Sequence, residues 1–334
     1  MTHPMRRLDR KLRTIVTGEP TSDDFVLADA KDADMGFGLM AAGPTADAAE
    51  GTFGPGRYRT RDSYLDAMRA QAASGLIDIL LTSASNGELL AAEGAIPEDL
   101  TLAVRGNDTT DVWVGRGARY ARSPSRPFRS ADLASIRPFC DLVLYSVTLN
   151  NDVAHDLETL EAYRLFRMEA SAMGMRHFLE VFDPNAPRDL APDAVGAFVN
   201  DSIVRLLAGV TSEQRPIFLK VAYHGAEALA ELAEHDRSLV VGVLGGSAGT
   251  TRDTFELLQR AHSHGAWMAL IGRKIQHADS QPALMSLMRP VVRGEIDPAE
   301  AVRAYHDALS EMRIVPRRPL AADLELTDPV MRAE

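Results

Sequence analysis

A beat of short apolar runs, each followed by a helical segment, constrains this chain more than any other feature. FVLAD (25–29) is the first run, followed by LIDILLTSA (76–84), LTLAVRGND (100–108), CDLVLYSVTL (140–149), HFLEVFDP (177–184), PIFLKVAY (216–223), SLVVGVLGGS (238–247) and WMALIGRKI (267–275). Helical patterns lie between them at 61–75, 86–94, 130–139, 152–174, 192–209, 225–236 and 250–265, and two more follow at 280–294 and 298–313. Runs with little alternation belong to strands covered on both faces, as in a parallel sheet wrapped in helices. Eight such units predict a closed (β/α)8 TIM barrel. The rival, a doubly wound sheet, lacks its Gly-x-Gly-x-x-Gly after the first strand. We therefore expect one barrel domain over residues 21–315, an N-terminal extension over 1–20 with one short helix, and an aperiodic C-terminal tail over 316–334. Residues 40–60 read as a long Gly/Ala/Pro/Thr loop, and 108–130 as irregular surface rich in arginine.

Within that frame one residue is out of place. The chain has four lysines (Lys11, Lys31, Lys220 and Lys274) against thirty-two arginines, and Lys220 sits in the middle of an apolar strand. An ammonium there costs several kcal/mol unless it is paired or deprotonated. Alternation along 216–223 puts Ile217, Leu219 and Val221 on one face and Phe218, Lys220 and Ala222 on the other, so an apolar outer face leaves Lys220 pointing into the barrel. A buried amine with a lowered proton affinity is what a Schiff-base nucleophile requires, and a lysine that snorkels to solvent is the structural alternative. Glu180 presents the same puzzle, sharing its face with Phe178 and Phe182. A pair with Lys220 from the neighbouring strand accounts for both residues, as a proton-transfer couple or as a structural ion pair.

The ends of the last two strands carry an anion signature. Leu244-Gly245-Gly246-Ser247 closes the seventh, with Thr250 and Thr251 opening the next helix, and Ile271-Gly272-Arg273 closes the eighth. In a barrel these ends form the phosphate site, where glycines admit backbone amides and arginine adds a cation. Lys31 stands two residues beyond Asp29, on the same parity, and is expected in the mouth as a second amine. Asp29, followed by Asp32 and Asp34, also reads as a loop-capping device or a cation site.

The pattern over 176–273 resembles the class I (Schiff-base) aldolase superfamily, which includes tagatose-bisphosphate aldolase, archaeal-type fructose-bisphosphate aldolase and, more remotely, deoxyribose-phosphate aldolase. The segments that carry the resemblance are HFLEVFDP, FLKVAYHG and GVLGGSAGTTRDTFELL with ALIGRKI, and more weakly VLADAKD. The resemblance implies a lyase that needs neither metal nor cofactor and acts on a small phosphorylated sugar. Lys220 would form the imine, Glu180 and Asp29 would assist proton transfer or orient hydroxyls, and Gly246, Ser247, Gly272 and Arg273 would hold a phosphate. The tyrosine or second lysine common near the family's Schiff base is missing, leaving Tyr145, Tyr223 and His224 as open alternatives. A phosphate-binding isomerase or synthase without an imine, and a non-catalytic sugar-phosphate sensor, are the rival readings.

Composition narrows the partners. A net charge of -11 disfavours nucleic acid and anionic membranes. Cys140, the lone cysteine, admits no intrachain disulfide, and no His-x-x-x-His pair points to a metal. With no apolar leader and no membrane span in the sequence, we expect a cytoplasmic protein that forms a homo-oligomer.

Overall fold

A computed structural model describes residues 5–45, 58–246 and 249–334. Eight parallel strands close into a barrel: β1 (Val26–Lys31), β2 (Ile79–Thr82), β3 (Thr101–Arg105), β4 (Leu142–Thr148), β5 (Arg176–Phe182), β6 (Phe218–Val221), β7 (Val240–Leu244) and β8 (Met268–Ile271). Each strand pairs with its sequence neighbours, and β8 pairs with β1. The fold is the (β/α)8 TIM barrel that the beat predicts.

The helices that cover the barrel are α1 (Arg7–Thr17), α2 (Arg61–Ala73), α3 (Ala84–Ala92), α4 (Val153–Ala172), α5 (Val195–Leu207), α6 (Ala226–His235), α7 (Thr251–Ser263), α8 (Gln281–Val292) and α9 (Pro298–Glu311). Side-chain caps set the starts of α2, α4 and α9: Thr60 accepts from Ser63 N, Asp152 from Ala154 N, and Asp297 from Ala299 N. Gly174, at φ 61°, follows α4 and reverses the chain in a conformation that other residues adopt at a cost. Only a short turn, Leu133–Ile136, covers the β3–β4 connection, whose earlier part holds a two-residue ribbon pairing Asp108–Thr109 with Pro127–Phe128. No helix among the described residues is long and apolar enough to cross a membrane.

Strand alternation splits the core into two shells. Ala28, Ile79, Leu81, Ala103, Leu144, Phe178, Phe218, Met268 and Leu270 fill the barrel, with Phe178 stacked on Phe218 at 4.4 Å. Leu27, Leu80, Leu102, Val143, Leu179, Leu219, Val241 and Ile271 face the helices. Fully burying a side chain of this size contributes about 1.5–3 kcal/mol, so a strand slipped by one residue, exchanging the two faces, is strongly disfavoured.

The lower end of the barrel is plugged. Leu8 of α1 is fully buried against the inner shell, and Lys11 Nζ reaches Asp78 Oδ2 at 3.0 Å and Phe25 O at 2.8 Å. Arg289 Nη2 meets the same carboxylate at 2.9 Å. With this end sealed, the open end is the C-terminal mouth.

Residues after 316 have no period in sequence yet fold back as two short helices, Leu320–Asp323 and Pro329–Ala333, with Met331 buried. The 267–275 run is also shorter as a strand than expected, since the chain turns at Gly272 into a short helix, Arg273–Gln276.

Candidate active site

Register builds the floor of the mouth. Ser146 on β4 pairs with Glu180 on β5, Glu180 with Lys220 on β6, and Lys220 with Gly242 on β7, so three adjacent strands present their side chains at one level and the fourth leaves room beside them. Inward parity then makes contact unavoidable. Lys220 Nζ lies 2.5 Å from Glu180 Oε1, and both side chains are buried.

A second cation completes the cluster. Arg105 ends β3 on the parity of Ala103 and reaches across the barrel. Its Nη2 is 3.0 Å from Glu180 Oε2, its Nη1 donates to Ser146 Oγ at 2.8 Å, and its Nε donates to Asp32 Oδ2 at 2.6 Å. Ser146 Oγ also donates to Glu180 Oε2 at 2.8 Å, while Asn107 brackets the Ser146 backbone from both sides. Each carboxylate thus has a cationic partner, the condition under which buried charge is tolerated. Burial alone would raise the Asp32 proton affinity, but Arg105 and Lys220 outweigh it and hold that carboxyl below the usual range. Burial works against the Arg105 charge too, and Asp32 and Glu180 more than offset it, so the guanidinium stays cationic.

Above this cluster opens a cavity of about 340 Å³, whose lining includes the charged Asp32, Arg105, Glu180 and Lys220 and the apolar Met35, Phe37, Val112, Phe182 and Leu270. Gly245, Gly246, Gly272 and Arg273 also line it, so the expected anion-binding strand ends share one space with Lys220. Gly246 takes a positive φ of 64°, and a Cβ on Gly272 would lie 2.7 Å from Ala30 O, which gives both glycines a steric reason. Arg273 Nη2 donates to Gly246 O at 3.1 Å, and its guanidinium lies 5.4 Å from the centroid of Phe37. Ser247 lies outside the described residues.

Several expected residues stand elsewhere. Asp29 pairs in register with Leu80 and Ile271, both of the outer shell, so Asp29 and Lys31 face the helices instead of the mouth. There Lys31 Nζ donates to Gln276 Oε1 at 2.6 Å and Gln281 Oε1 at 3.1 Å, with Asp29 Oδ2 at 3.3 Å. Burial lowers the Lys31 proton affinity and pushes Asp29 up to about 6. The acidic side chain that does reach the mouth from β1 is Asp32, one step past the strand and on the inner parity of Ala28 and Ala30.

The three alternatives for a further acid or base are likewise engaged away from the cavity lining. Tyr145 is packed on Tyr163 and Phe166 in the outer shell. Tyr223 donates to Glu334 at 3.0 Å, and His224 Nε2 is 2.9 Å from Asp183 Oδ1. The amides that open α7 are also taken: Thr251 N donates to Asp323 Oδ1 and Thr250 N to Asp253 Oδ2, each at 2.8 Å. The tail, read as featureless, thus supplies the carboxylate that caps this helix.

Sequence reading missed Arg105, Ser146 and the mouth position of Asp32. Parity was the available signal: Ala103–Arg105 and Leu144–Ser146 each step from an inner-shell residue to a polar one at the strand's C-terminal end.

No protein-family model matches the chain, and no curated protein matches it. Solved structures do match. An archaeal fructose 1,6-bisphosphate aldolase superposes with a TM-score of 0.61 at 12% identity, covering 86% of this chain and 99% of the other. A Schiff base forming fructose-1,6-bisphosphate aldolase gives 0.59 at 12% identity, covering 85% and 99%. A protein from Corynebacterium glutamicum gives 0.55 at 18% identity, covering 87% and 93%. At such identities the likeness is one of fold.

Proposed function

We propose that the protein is a class I lyase that cleaves or forms a carbon–carbon bond in a small phosphorylated ketose through an imine on Lys220. The observation that carries this reading is the amine of Lys220 held 2.5 Å from Glu180, in the same cavity as Gly245, Gly246, Gly272 and Arg273. A proton passed from Nζ to Glu180 frees the amine to add to the ketone carbon. Glu180 returns that proton to the carbinolamine hydroxyl, which leaves as water, and a protonated imine remains. When the bond between carbons three and four breaks, the proton of the carbon-four hydroxyl goes to Glu180 as the aldehyde departs, and the electron pair of that bond moves into the imine to give an enamine. Protonation of the enamine carbon by Glu180 and hydrolysis complete the cycle. One carboxylate within hydrogen-bond reach serves each transfer.

Asp32 has a different part in this scheme. Held ionised by Arg105, it is a weak base and a strong acceptor, suited to orienting substrate hydroxyls. It takes the place that the resemblance gives to Asp29. Arg273 and the glycine turns receive the phosphate.

Imine formation exchanges the ketone oxygen with solvent, which gives a direct test. A panel of ketose mono- and bisphosphates in 18O-labelled water should include one whose carbonyl exchanges and which releases an aldehyde, both in an enzyme-dependent manner. Aldehyde release without enzyme-dependent exchange would favour a mechanism with no imine, and neither event with any member would remove the reading.

A further inference from the structure

From the charges around the cavity we infer that the site takes a substrate with a single phosphate, and that Asp108 and Asp111 exclude a second one. This rests on the reading that a phosphorylated ketose binds in the mouth. Among the described residues that line the cavity, Arg105 and Lys220 are already matched by Asp32 and Glu180. Arg273 remains as the lining cation with no carboxylate partner, and it stands at the glycine turns of β7 and β8. That end has the charge to receive one phosphate.

Across the mouth the charge is reversed. In the closed strand order β3 and β4 stand opposite β7 and β8, and the connection between them brings Asp108 and Asp111 to the cavity wall. Both carboxylates are held by neutral donors. Asp108 Oδ2 accepts from Ser130 N and Oγ at 2.8 Å each, while Asp111 accepts from Ser125 Oγ and Thr148 Oγ1, also at 2.8 Å. Neutral donors fix a carboxylate without cancelling its charge.

The wall is also fixed in place. Val114 N donates to Gly36 O at 2.9 Å, and a Cβ on residue 36 would lie 2.5 Å from Val112 O, so the β1 segment and this wall touch backbone to backbone. A ketose phosphate with its phosphate on Arg273 and its carbonyl at Lys220 therefore runs its far end toward Asp108 and Asp111. Hydroxyls there find acceptors, whereas a second phosphate dianion meets two like charges.

Calorimetric binding tests this with matched ligands: fructose 1-phosphate and fructose 6-phosphate against fructose 1,6-bisphosphate, on the wild-type protein and on Lys220→Met, where no imine contributes. We expect one of the monophosphates to bind on the order of tenfold or more tightly than the bisphosphate, about 1.4 kcal/mol or more. Asp108→Asn and Asp111→Asn, which keep an acceptor for the neutral donors, should close that gap, and Arg273→Ala should weaken the monophosphate. A bisphosphate that binds as tightly as the better-bound monophosphate, or more so, overturns the inference whether or not the variants fold. Failure of all three sugars to bind removes the inference together with the phosphate site beneath it. Monophosphate preference without turnover or oxygen exchange would leave this inference standing and remove only the lyase reading.

Discussion

Two lysines of this barrel occupy similar sequence settings and opposite physical ones. Lys31 and Lys220 each lie in an apolar strand, each has a carboxylate within ion-pair distance, and their exposures are 0% and 6%. Lys220 faces inward and lines the cavity, whereas Lys31 faces outward, where Gln276, Gln281 and Asp29 seal it beneath the helices. With Lys220 as the proposed nucleophile, burial of an amine is not by itself the mark of one. The side of the sheet on which the amine falls decides whether a carbonyl reaches it.

The comparison breaks if the two amines respond alike to removal. Lys220→Met should reduce turnover by about 10³-fold or more while leaving folding stability within about 1 kcal/mol of wild type or raising it, because Arg105 still pairs with Glu180 and a methionine fills the space that the lysine leaves. Lys31→Met should do the reverse. It leaves Asp29 without its cation and Gln276 without its grip, and breaking a buried pair costs about 3–5 kcal/mol. Urea titrations and steady-state rates on both variants check this crossing, and a Lys31→Met protein that is stable yet catalytically dead would reverse the assignment.

A smaller effect sharpens the same contrast through pH. Asp29, raised by burial from its ordinary value to about 6, holds a proton in the folded state where the unfolded chain has released it. Stability must then fall as pH rises from about 4 to about 6, by up to about 3 kcal/mol, and stay level above that window as far as this group is concerned. Asp29→Asn should flatten this part of the curve and leave the pH dependence of turnover unchanged. An unaltered stability profile in that variant would mean that Asp29 is not held as described.

How much of this was legible follows from which physical signals are local. The barrel was legible because covered parallel strands leave an unmistakable beat in the sequence, and Lys220 and Glu180 because their strands alternate around large inner side chains, Phe178 and Phe218. In β1 every residue from Val26 to Lys31 is buried, so nothing in the local pattern separates the faces, and Asp29 and Lys31 were placed on the wrong one. Arg105 and Asp32 were hidden for a different reason. Their meaning comes from each other and from Glu180, across contacts that span 73 and 75 residues of chain. The tail was illegible because it is organised by the helix ends that it caps, as in Asp323 on Thr251 N and Glu334 on Ala226 N.

Reductive trapping reads the central contrast directly. Borohydride added in the presence of a ketose phosphate, followed by peptide mapping of all four lysines, should place the covalent adduct on Lys220 and leave Lys31 unmodified. An adduct on Lys31, or one that persists in Lys220→Met at the wild-type level, would contradict the account.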